Sequence, residues 1–106
     1  MPVVNLERMY SMDDLLHLLH SDGADELWLH VGQPPILVLE GEQQPFEGPV
    51  IGPEDATQLL QSITNTRQRR ELREHGVVEF IYRFRGRADF VVRARMEAGN
   101  VGMDIH

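Results

Sequence analysis

The sequence predicts an α+β domain in which helices pack on a mostly antiparallel sheet of five or six strands. Three features point there. Apolar and polar residues alternate through Leu27-Trp28-Leu29-His30-Val31 and again from Val77 almost to the end of the chain, the two-residue period of strands. Between these regions, Leu15 to Leu19 and Ala56 to Ile63 place apolar residues at helical spacing. Glycines and prolines fall at the junctions, where the chain must turn.

Residues 1–10 are read as an arm, and residues 1–106 as one domain. Ser11 is suited to cap a helix, with Asp13 and Asp14 in its first turn, where the helix dipole favours negative charge. Leu15, Leu16, Leu18 and Leu19 form its apolar stripe, and Gly23 ends it. A hairpin follows. Gly32 and Pro34 place a four-residue turn at 32–35, which pairs Val31 with Ile36 and Leu29 with Val38 on one face, and His30 with Leu37 and Trp28 with Leu39 on the other.

Residues 41–52, rich in Gly, Pro, Glu and Gln, are expected to form a loop with at most one short edge strand. Pro53, followed by Glu54 and Asp55, opens a second helix whose stripe is Ala56, Leu59, Leu60 and Ile63. A third helix is expected from about Thr66 to His75, stopped by Gly76 and carrying Arg67, Arg69, Arg70 and Arg73. Val78, Phe80, Tyr82 and Phe84 then share one face of a strand. A three-residue loop at Arg85-Gly86-Arg87 pairs Phe84 with Ala88, Tyr82 with Phe90 and Phe80 with Val92, and sets Arg83 against Asp89 and Glu79 against Arg93. A turn at Glu97 to Asn100 leads to a last strand with Val101, Met103 and Ile105 inward.

Composition removes several chemistries. The chain has no cysteine, so disulfides and thiolate metal sites are excluded. All ten basic residues are arginine. Without a lysine there is no Gly-x-x-x-x-Gly-Lys loop to hold phosphates and no Schiff-base chemistry. No apolar run reaches membrane-spanning length and the first residues lack the pattern of a signal peptide, so a cytoplasmic location is expected. The net charge of −7 disfavours nucleic acid as a partner, although residues 56–106 carry all the arginines but one. The acidic first half and basic second half are suited to contact between neighbouring copies.

The segment from Ala24 to Gly41 resembles the N-terminal domain of PilT-type twitching-motility ATPases, the hexameric motors of type IV pili, and their type II secretion relatives. Ala24, Leu27, Leu29, Gly32, Pro34, Pro35 and Gly41 fit that family's pattern of an alternating strand, Gly-x-Pro-Pro and a closing glycine. The order of elements on either side fits too. The resemblance implies a PAS-like α+β fold and a place in pilus or secretion machinery. It also implies a strand read Arg-Phe-Arg-Val-Asn, whose arginines help contact nucleotide on a neighbouring motor domain. Here that strand reads Asp89-Phe90-Val91-Val92-Arg93, and Val38 stands where the hairpin has its arginine. Only Phe90 and Val92 are kept, so the nucleotide role does not carry over.

No constellation for catalysis is present. The serines Ser11, Ser21 and Ser62 fall at a helix cap, a helix end and a helix interior, and Asp13-Asp14 and Glu54-Asp55 are explained by helix dipoles. His17 and His20 lie one helical turn apart and His30 is on the first strand, without a further ligand that would make a metal site. No enzyme activity, cofactor or metal is expected. The expected working surface is an interaction face on the outer side of the sheet: Trp28, His30, Leu37, Leu39, Ile81, Val91, Arg93 and Arg95. The Leu15 to Leu19 helix covering that strip is the competing expectation. The function expected is that of a non-catalytic interaction or regulatory domain whose partner is a protein, a PilT-like motor ATPase or a second copy. The alternative is a PAS-like sensor holding a small ligand among Trp28, Phe80, Tyr82 and Phe90. RNA binding through the arginine-rich helix ranks third.

Overall fold

The structure, a computed structural model, describes residues 10–106. Residues 1–9 of the expected arm lie outside the described residues. The elements run α1 (Met12–Ser21), β1 (Glu26–Leu29), β2 (Ile36–Leu39), β3 (Glu42–Pro45), α2 (Pro53–Gln61), α3 (Thr66–His75), β4 (Val77–Phe84), β5 (Ala88–Glu97) and β6 (Asn100–Ile105). The six strands form one sheet in the order β3-β2-β1-β6-β5-β4, antiparallel throughout. The architecture is α+β, as expected from the sequence.

Local chemistry fixes most element ends. The Ser11 hydroxyl accepts from the Asp14 amide at the start of α1, and Pro53 occupies the first turn of α2. Asn65 and Gln68 cap α3 reciprocally, at 2.8 and 3.0 Å. Gly76 closes α3 in the left-handed conformation. The β4–β5 hairpin has the expected register, with Phe84 opposite Ala88 and Tyr82 opposite Phe90, and the expected turn at Glu97 to Asn100 sets those two residues opposite each other.

The last strand does not lie at the rim. β6 sits between β1 and β5, pairing Leu29 with Met103 and Leu27 with Ile105 on one side, and Ala94 with Met103 and Val92 with Ile105 on the other. These six side chains are fully buried. The helices cover that face through Met12, Leu15, Leu16 and Leu19 of α1, Ala56, Leu59 and Leu60 of α2, and Leu72 of α3, all in one apolar cluster with the sheet. At the far end, Arg85 in the β4–β5 loop pairs with Asp13 of α1 and lies over the Phe84 ring at 4.9 Å.

The first hairpin departs from expectation. Its register is Leu27 with Leu37, Trp28 with Ile36 and Glu26 with Val38, so the connection spans residues 30–35 instead of 32–35. The cause is a contact from later in the chain. Val31 forms an isolated parallel bridge with Ile51; the Gly32 amide donates to the Ile51 carbonyl at 2.9 Å and the Ile51 amide to the Gln33 carbonyl at 2.8 Å. Residues 31–33 therefore pair with the segment ahead of α2 and are lost to β2. A shift that changes odd-with-even pairing into odd-with-odd turns every β2 side chain to the opposite face. Leu37 joins the core, and Val38 and Ile36 move to the outer face. Residues 42–45 form the short edge strand, reached through a tight turn in which Glu40 and Gly41 both have positive φ.

Leu29→Ala removes a fully buried side chain between β6 and the helices. It is expected to cost about 2–5 kcal/mol of unfolding free energy in urea titration; a loss under about 1 kcal/mol would contradict this packing.

Candidate functional site: the outer sheet face

All three helices lie on one side of the sheet, so α1 does not cover the expected strip. On the other side the register sets Trp28 next to Ile36 and Asp104, Asp104 next to Arg93, Arg93 opposite Glu79, and Ile81 opposite Val91. The face thus has an apolar group at each end and charges between them. Trp28, half-buried, makes up one end together with Ile36 and Val38, which are themselves buried, and its indole Nε1 donates to Glu26 at 3.1 Å. Ile81, 69% exposed, Val91 and Val77 make up the other.

Of the residues expected to form this surface, Trp28, His30, Ile81, Val91, Arg93 and Arg95 lie on it. Leu37 does not: it packs in the core opposite Leu27, and Leu39, two residues on, follows it to the inner side. The expectation missed Ile36 and Val38, which take their places. No local signal marks them, because the register is set by the contact of residues 31–33 with Ile51.

His30 lies at the centre. Its Nδ1 is 2.7 Å from Glu97 Oε1 and its Nε2 is 2.8 Å from Asp104 Oδ1. Arg95 donates to the second oxygen of Asp104 at 2.9 Å. With an acceptor at each ring nitrogen, the imidazole satisfies both only when doubly protonated. Burial opposes that charge, but the hydrogen bonds to Glu97 and Asp104, together with their charges, outweigh it and hold the His30 pKa above its ordinary value. Gly102 makes room for the arrangement. A Cβ there would collide with the Glu97 carboxylate and lie 2.7 Å from the His30 ring. The sequence marks Asp104 as outward from the alternation of β6, but that His30 reaches it depends on β6 lying beside β1.

This cluster is a balanced set of two cations and two anions that ties the end of β1 to the β5–β6 hairpin. It contains no nucleophile. Arg93 is exposed and, among the described residues, makes no ion pair within 4.0 Å, although Glu79 is its cross-strand neighbour. His17 and His20 are exposed on α1, in the helical layer, and do not converge with His30. Among the described residues no group of three or more His, Asp or Glu side chains is arranged to hold a metal.

The pocket of the sensor reading does not form. Trp28 is on the outer face, whereas Phe80, Tyr82 and Phe90 are on the inner face against the helices. A cleft of about 480 Å3 lies elsewhere, between the start of α1, α2 and the end of β4, lined by Tyr10, Leu16, Leu59, Tyr82 and Phe84 among others. Of the four expected residues only Tyr82 borders it. In α3, Arg69 donates to the Thr64 carbonyl at 2.8 Å, so one of the four arginines serves the helix start.

The raised His30 pKa gives the cluster a pH signature. A group whose folded pKa exceeds its unfolded value contributes fully below the unfolded value, about 6.5 for histidine, and loses that contribution as pH rises through the folded value. The stability margin of the native chain over His30→Gln, read from urea midpoints, is therefore expected to be largest near about pH 5.5 and to shrink towards about pH 9. A margin that grows with pH would contradict the charged imidazole.

No family model matches the chain. It is 29% identical over 91 residues to the type IV pilus ATPase PilU of Pseudomonas aeruginosa, an alignment covering 86% of this chain and 24% of PilU. Its fold superposes on the crystal structure of the pilus retraction motor PilT with bound ADP, with a TM-score of 0.83 and 24% identity, over 92% of this chain and 29% of that one. It also superposes on the Legionella pneumophila ATPase DotB, with a TM-score of 0.73 and 20% identity, over 99% of this chain and 30% of DotB. The chain spans about a quarter to a third of the length of these proteins. What it has in common with them is the fold of the N-terminal domain of PilT-type ATPases, and its sequence resembles that domain of the pilus and secretion motors.

Proposed function

We propose that this chain is a non-catalytic docking domain of pilus or secretion machinery, which regulates a PilT-type motor ATPase by binding it in the cytoplasm through the outer face of the sheet. The observation that carries the reading is that face: it lies opposite all three helices, exposes Ile81 and Val77 at one end and a half-buried Trp28 towards the other, and is crossed by Arg93 and Arg95 between them. A sheet surface of this kind is suited to a protein partner, with Trp28 as an aromatic anchor and Arg93 available to pair with a carboxylate.

Two further facts support a non-catalytic role. The sequence has no lysine for a phosphate-binding loop. The strand that resembles a nucleotide-contacting one carries Asp89 and Val91 at its arginine positions, and Asp89 is held by Arg83 at 3.0 Å. An acid there repels phosphate, so the chain does not complete a neighbour's nucleotide site.

The test is titration calorimetry of the chain against a purified PilT-type motor ATPase from the same cell, with ATP turnover followed in parallel. Trp28→Ala and Arg93→Glu are each expected to weaken binding by at least about tenfold. Neither should alter the far-ultraviolet circular dichroism spectrum. Absence of binding by the native chain, or binding indifferent to both substitutions, would defeat the proposal.

A further inference from the structure

The two rims of the sheet are unlike. β3 has four residues and ends in Pro45, which limits its use as a template for another strand. β4 has eight residues, no proline or glycine, and an unbroken register of eight pairs with β5. Among the described residues no strand pairs with its other side. The Met96 amide donates to the Gly76 carbonyl at 3.0 Å, and Val91 exchanges hydrogen bonds with His106 of the neighbouring β6 side. By the alternation of an antiparallel ladder, even-numbered residues of β4 bond to β5, and Val77, Glu79, Ile81 and Arg83 direct their amides and carbonyls away from the sheet.

From this we infer that β4 is a self-pairing edge, which joins two copies of the chain antiparallel about a two-fold axis through Ile81, giving one continuous sheet across the dimer. The occupant is specified by the order of side chains. Placing Ile81 opposite Ile81 of the second copy sets Glu79 opposite the second copy's Arg83, and Arg83 opposite its Glu79, on the outer face. On the inner face it sets Phe80 opposite Tyr82 and Val78 opposite Phe84. Ile81 is 69% exposed, and Phe80 and Tyr82 are only partly buried, so the pairing covers apolar surface on both faces. Centring the pair on Phe80 would instead set Glu79 against Ile81 and Val77 against Arg83. Odd sums of residue numbers are excluded, because they would set even-numbered against odd-numbered residues and so bring outward groups against groups already bonded to β5. Glu79 has no ion pair within 4.0 Å among the described residues, and Arg83, whose Nε and Nη2 donate to Asp89 of its own chain, keeps its remaining N–H donors for the second copy's Glu79.

This edge is separate from the docking face tested through Trp28 and Arg93, and the inference stands whether or not that face binds a motor. The test is sedimentation equilibrium of the 106-residue chain at micromolar to millimolar concentration. The native chain is expected to form a dimer. Glu79→Arg alone sets arginine against arginine, and Arg83→Glu alone sets glutamate against glutamate; each should weaken dimerisation by about tenfold or more. The double variant Glu79→Arg/Arg83→Glu restores opposite charges across the two-fold axis; its new like-charge neighbours, Arg93 and Asp89, lie within each chain and are present in monomer and dimer alike, so it should dimerise more tightly than either single variant by about threefold or more. Because all these side chains are exposed, the monomer fold is checked by circular dichroism. A native chain monomeric throughout the range, a dimer insensitive to the single reversals, or a double variant as weak as the singles would each overturn the inference.

Discussion

The structure depends on the insertion of β6 between β1 and β5. One hairpin lies on each side of it, and its buried Met103 and Ile105 join the apolar rows of both. Without that strand, the first hairpin and the β4–β5 hairpin would be two small sheets, each too narrow to hold a helical layer. With it, Leu27, Leu29, Val92, Ala94, Met103 and Ile105 present a continuous floor on which α1, α2 and α3 bury their stripes. Helices are spent entirely on that side, so the opposite face must manage its own contact with water.

That face does so by balancing charge in the middle. His30, just beyond the end of β1, Asp104 of β6, and Arg95 and Glu97 of β5 neutralise one another, and Gly102 leaves the space in which the imidazole reaches Glu97. Partly buried charges of this kind contribute when every donor has an acceptor, and here both ring N–H groups donate to a carboxylate. The apolar groups are pushed to the two ends, Trp28 with Ile36 and Val38, and Ile81 with Val91.

The likeness to pilus and secretion motors lies in the fold, and the departures lie in side chains. The floor residues Phe90 and Val92 stay apolar because helices rest on them. Their outward neighbours Asp89 and Val91 face no such demand, and one pairs with Arg83 while the other lies beside Ile81. Packing holds the scaffold while the exposed positions between packed ones are free to take another role.

Every element whose cause is local was legible in the order of residues. The α1 cap at Ser11, the α2 start at Pro53, the α3 stop at Gly76 and the three-residue loop at Arg85-Gly86-Arg87 follow from residues within a turn of one another. The parity of the β4–β5 hairpin was legible for the same reason, since a three-residue loop sets apolar against apolar where a two-residue turn does not. Tertiary structure decided what distant residues settle between them. Ile51 draws Val31 to Gln33 out of the first hairpin and so turns Leu37 inward and Val38 outward, and only the order of the strands brings His30 to Glu97 and Asp104. In both cases the deciding contact joins segments whose separation leaves no trace in local spacing, because hydrogen bonds and charges are satisfied by whatever the folded chain places within reach.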